Sequence, residues 1–143
     1  MSAPHVDFAQ WLGANVTGLK YHATNPTGVN VFVDATPSTP DRMVAVLSQA
    51  GPESDSKLPY DEIGIQLVFR CEANPTWALD MWDTVYSQVH ALRHITLVSG
   101  GTQLAWALVV QSSPARIGQD ENGRHQYSMN IRAEIKRPTQ ERP

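Results

Sequence analysis

A single cysteine in 143 residues, Cys71, excludes an intramolecular disulfide and any cysteine-based metal site. Apolar runs are short, and none approaches the roughly 20 residues that a membrane-crossing helix needs. The first residues carry no basic flank followed by an apolar run, so no signal peptide is expected. Charge is sparse at 17%, and the balance is mildly acidic at −3. A protein that grips nucleic-acid phosphates would carry the opposite sign. The glycines at 100–101 and 118–123 form neither a GxGxxG nor a Walker spacing, so no phosphate cradle is indicated. No internal repeat is visible. These absences point to a protein made in reducing, aqueous surroundings, with no membrane association expected.

A hydrophobic fraction of 41% over this length suits one globular domain spanning residues 1–143. The stretch at residues 51–72, GPESDSKLPYDEIGIQLVFRCE, organises the rest. Ile63, Ile65, Leu67, Phe69 and Cys71 alternate with Gly64, Gln66, Val68 and Arg70, the period of a strand with one buried face. Cys71 then reads as a small buried hydrophobe. Residues 51–60 carry two prolines and little to bury, and read as a surface loop feeding that strand.

Phe8, Ala9, Trp11, Leu12 and Val16 predict a short helix after Asp7 as N-cap, within an N-terminal segment at residues 1–24. Asn25-Pro26-Thr27-Gly28 reads as a turn, and Val29, Val31 and Val33 as a first strand. Pro37 and Pro40 end it, and residues 43–47 form a second. Asn74-Pro75 opens the clearest helix, with Ala78, Met81, Trp82, Val85, Val89 and Leu92 on one stripe. Residues 95–98 suggest a brief strand. In residues 103–111, Leu104, Trp106, Leu108 and Val110 face one way and Ala105, Ala107 and Val109 the other. Such a strand is central or lies in a subunit interface. Residues 112–125 read as a second polar excursion, 126–136 as a last strand, and 137–143 as a loose tail. The expected architecture is α+β: a mostly antiparallel sheet, one long amphipathic helix packed across a face, and a short N-terminal helix.

Candidate chemistry is thin. His90 and His94 have the i, i+4 spacing of two zinc ligands, but no third ligand accompanies them, and two histidines also suit a helix C-terminus. A small metal enzyme built on them is the rival from another class. Asp80, Asp83, Glu53, Asp55, Asp61 and Glu62 sit on polar faces or in a loop, where solvated charge is the ordinary reading. No nucleophile, base and orienting residue share a recognisable spacing. Catalytic, cofactor-binding and metal residues are therefore expected to be none, and the protein is not expected to be an enzyme. Trp11, Trp77, Trp82 and Trp106 could stack bases, and Arg116, Arg124, Arg132, Lys136 and Arg137 could line a nucleic-acid path. Core packing and a solvated strand face are the default readings.

Three short motifs, Gly51-Pro52-Glu53, Leu58-Pro59-Tyr60-Asp61-Glu62, and Gly118 with Asp120-Glu121-Asn122-Gly123, are distinctive through their order and spacing. With the turn NPTG, the segment HALRHITLVSGGTQLAWALVVQ and the run SSPARIGQDENGRHQYSMNIRAEI, they span most of residues 25–135. In this the chain resembles the minor capsid or tail terminator proteins of long-tailed bacteriophages. The resemblance implies a virion protein at the tail–neck junction, assembled in the host cytoplasm. It would form a homo-oligomeric ring, usually a hexamer, that caps the head-proximal end of the tail tube and stops its polymerisation. Its partners would be the tube protein and a neck or head-completion protein, with phage DNA passing through the lumen without specific binding. A head-completion or connector protein of the neck is the alternative. A head-to-tail ring needs two different complementary surfaces per subunit. The candidate interface residues are Pro52, Glu53, Lys57, Leu58, Pro59, Tyr60 and Asp61 in one loop, and Arg116, Asp120, Glu121, Asn122 and Arg124 in the other.

Overall fold

The computed structural model describes residues 3–21 and 27–143. The elements run α1 (Pro4–Asn15), β1 (Val31–Val33), β2 (Met43–Gln49), β3 (Tyr60–Cys71), α2 (Thr76–Val89), β4 (Arg93–Thr96), β5 (Gln103–Val109), β6 (Ala115–Gln119) and β7 (His125–Lys136). Seven strands form one open sheet in the order β1-β2-β3-β7-β5-β4, with β6 also on β7. Only the β1–β2 pairing is parallel. Of the turn expected at residues 25–28, Asn25 and Pro26 lie outside the described residues.

The expected architecture needs correction. In place of one long helix across the sheet and a short N-terminal one, there are two short helices, of 12 and 14 residues, on an open sheet. α1 starts at Pro4, with proline in its first turn, so Asp7 lies within the helix and does not cap it. α2 ends at Val89, because His90 turns extended and Ala91 takes φ 65°, which leaves Leu92 outside. Its start matches the Asn-Pro signal to within a residue: the Asn74 side-chain oxygen accepts from the Thr76 N–H at 3.0 Å.

Both helices pack on the same sheet face, α1 against β1 and β2, α2 against β3, β5 and β7. Phe8, Leu12, Trp82 and Val85 from the helices meet Val44, Val46, Leu67, Phe69, Met129 and Ile131 in one core. Trp82 is fully buried and donates its indole N–H to the Ser128 carbonyl at 3.0 Å. Asp7, almost fully buried, accepts from the Thr102 N–H at 2.9 Å and its hydroxyl at 2.7 Å, which ties α1 to the turn before β5.

β3 and β7 form the spine. They pair over twelve residues each, from Tyr60 opposite Lys136 to Cys71 opposite His125. Along its other edge, β7 pairs with β5 over residues 131–136 and with β6 over residues 125–128. The expected excursion at 112–125 thus contains a strand. A bulge between Leu104 and Trp106 changes the parity of β5. Leu104, Ala107 and Val109 turn to the core, while Trp106 is half-buried and Leu108 exposed.

The face away from the helices is covered only in part. Met43, Ala45 and Val68 make a small second cluster there, flanked by Phe32 and Leu47. At that end the buried Arg70 donates to the carbonyls of Pro40, at 2.6 Å, and Asp41, at 3.3 Å. The other half of this face carries Leu108, 39% exposed, and Tyr60, at 41%.

Candidate functional site

Of the ten residues between β2 and β3 all but the half-buried Pro59 are exposed, yet the loop is not shapeless. Gly51 passes so close to β3 that a Cβ there would lie 2.1 Å from the Glu62 carbonyl oxygen, which explains glycine at this position. The Asp55 carboxylate accepts from the N–H groups of Lys57 and Leu58, both at 2.7 Å, and Leu58 projects with 62% of its surface exposed. Those N–H groups hold the Asp55 carboxyl below the usual aspartate range, Leu58 contributing most.

Residues 137–143, expected as a loose tail, fold back onto this loop. Arg142 is buried and forms a two-point ion pair with Asp61 at 2.9 and 3.1 Å. It also donates to the Asp55 carbonyl at 2.7 Å and the Arg137 carbonyl at 2.8 Å. The Arg142 guanidinium, helped by Arg137, holds the Asp61 carboxyl below its ordinary value against the opposing effect of burial. No periodicity signals such a clamp, because it rests on one charged residue distant in sequence.

The second excursion is a hairpin with a tight turn at its tip. Asp120 accepts from the N–H groups of Asn122 at 3.0 Å and Arg124 at 2.9 Å, and from the Arg124 side chain at 2.7 Å. These bonds, the Arg124 N–H foremost, lower the Asp120 pKa. Arg124 is buried and reaches across to the Ser38 carbonyl and, at 3.5 Å, to the Asp41 carboxylate. It therefore joins the hairpin to the segment before β2. Ile117, on β6, is 52% exposed.

The structure divides the expected interface residues into two kinds. Pro52, Glu53, Lys57, Leu58, Tyr60, Arg116, Glu121 and Asn122 are exposed, and Pro59 and Asp120 half-buried. Asp61 and Arg124 are buried in ion pairs within the chain, where they set the shape of the loops. The two loops stand at opposite ends of the β3–β7 spine, eleven residue steps or about 37 Å apart.

An open groove of about 840 Å³ lies on the uncovered face, beside the root of the first loop. Trp106, Leu108, Ile95 and Tyr60 line it, with Arg93, His94, Lys136 and Glu134 among its charged or titratable groups. Arg132 lies over the Trp106 ring at 5.9 Å and pairs with Glu62 at 2.5 Å. Sequence pattern missed this groove, because the β5 bulge decides which side Trp106 and Leu108 take.

The two histidines are not brought together as ligands. His90 Nδ1 accepts from the Val109 N–H at 3.1 Å and its ring stacks on Tyr86, whereas His94 lies in β4 beside the groove. Among the described residues no group of three or more His, Cys, Asp or Glu could hold a metal ion. Trp11 and Trp82 belong to the core, and Trp77 lies under Arg42 at 6.0 Å.

A search of curated proteins returned no match to this chain. A family model described as "Bacteriophage tail terminator protein" matches residues 15–137.

Proposed function

The chain belongs to the bacteriophage tail terminator family, a structural component of the virion tail, and from that premise we propose that it closes into a hexameric ring on the head-proximal end of the tail tube. There the ring ends tube polymerisation and offers its opposite side to a neck or head-completion protein. DNA passes through the lumen without specific contacts.

One observation carries this reading beyond the family. The two shaped loops project from opposite ends of a twelve-residue strand pair. A subunit built this way has separate surfaces facing in opposite directions, as a piece seated between tube and neck requires. The exposed residues Pro52, Glu53, Lys57, Leu58 and Tyr60 at one end, and Arg116, Glu121 and Asn122 at the other, are the contact groups, shared between ring neighbours and the tube and neck. Asp61, Asp120 and Arg124 keep those groups in place.

The test is to add the protein to polymerising tube subunits and measure tube length by negative-stain microscopy. Arrested growth, with a ring at one end of each tube, is the expected result. Unchanged growth, or copurification with DNA-filled heads in place of tails, would move the assignment to a connector of the neck.

A further inference from the structure

We propose that Leu58, at the loop of one subunit, seats in the groove over Trp106 and Leu108 of the next, so that this contact joins ring neighbours. The inference rests on the ring reading and names the surfaces that close it.

Leu58 is held out into solvent by its own loop. The Asp55 turn fixes the Lys57 and Leu58 backbone, and Arg142 anchors the Asp55 carbonyl. A loop already fixed in shape loses little further entropy on docking. The groove is the matching half-site: Leu108 is exposed along it, Trp106 is half-buried beneath Arg132, and its own subunit's Leu58 is not among the residues that line it. Knob and groove are thus both unfilled within one subunit, as a head-to-tail contact demands.

Charge matches as well. Among the described residues the ion pairs are made by Arg42, Arg124, Arg132, Arg137 and Arg142. With the described residues Arg93 and Lys136 at the groove form no ion pair, and neither does Glu53 on the loop. Glu134, the carboxylate lining the groove, suits Lys57 of the incoming loop.

The test uses two variants of exposed residues, Leu58→Asp and Leu108→Asp, each checked for unchanged urea unfolding. Sedimentation velocity should show self-association of each weakened roughly tenfold to a hundredfold, as expected for losing one buried leucine. Mixed together, the two should form a one-to-one complex, because the mixture retains one intact knob and one intact groove. Wild-type self-association in either variant overturns the pairing and leaves the ring reading standing. Two weakened variants that fail to complement also overturn it. A wild-type chain that stays monomeric both alone and on tube ends removes the ring reading and this inference together.

Discussion

Replacing Gly51 by alanine tests the close passage that shapes the first loop. The new methyl carbon would sit 2.1 Å from the Glu62 carbonyl oxygen, 3.1 Å from its carbon and 3.3 Å from the Ile63 Cα. All three are backbone atoms of β3, so no side chain can swing aside. Real Cβ contacts stay beyond 3.0 Å, so the two backbones must part by roughly 1 Å. Overpacking of this size costs about 1–3 kcal/mol. The stiffer unfolded chain returns about 0.4–1 kcal/mol, so the middle of each range leaves a net loss of about 1.3 kcal/mol. Urea unfolding with linear extrapolation measures the loss, with the slope unchanged. If Gly51→Ala unfolds within about 0.5 kcal/mol of wild type, the tight passage is not a constraint and the argument for glycine there fails.

Two further predictions concern carboxylates held by partners within the chain. Asp7→Ala leaves the buried Thr102 N–H and hydroxyl without their acceptor, and should cost about 1–3 kcal/mol by urea unfolding; a loss below about 0.5 kcal/mol would show that α1 is not tied through this carboxylate. Asp61, Asp55 and Asp120 all titrate below the ordinary aspartate value of 3.8 when folded. A depressed folded pKa gives stability that is whole above the unfolded pKa and lost as pH falls through the folded one. Stability should therefore decline as pH drops below that ordinary value. Arg142→Ala should flatten the decline and raise amide exchange at residues 55–58, and an unchanged acid profile would remove Asp61 from the account.

How much of this was legible beforehand depends on whether a periodic signal carried it. The stripe Ala78, Met81, Trp82, Val85, Val89 has the helical period, and the five residues are buried as a set. The alternation from Ile63 to Cys71 marks β3, although the strand starts three residues earlier at Tyr60, where burial still alternates but the buried side chain is the charged Asp61. β6 was hidden because Ala115–Gln119 exposes nearly all its residues and so shows no apolar face. In β5 a one-residue bulge reassigns Trp106 and Leu108, and no pattern of residue types reports a bulge. Asp7 resembles a cap in sequence, yet its carboxylate is spent on Thr102, 95 residues away. The loop motifs were visible as words, while the groove and the Arg142 clamp depend on contacts between distant segments.

The long pairing of β3 with β7 also bears on how the subunit carries load. Its two strands run the full distance between the loop ends and are linked rung by rung from Tyr60–Lys136 to Cys71–His125. A push or pull applied at one end travels along covalent backbone, and the hydrogen bonds resist it together in shear instead of opening one at a time. Neither strand is interrupted by proline or by a register shift against the other. The subunit is therefore a strut with no hinge between its two ends. A load applied at one loop end would reach the other with little change in the spacing between them.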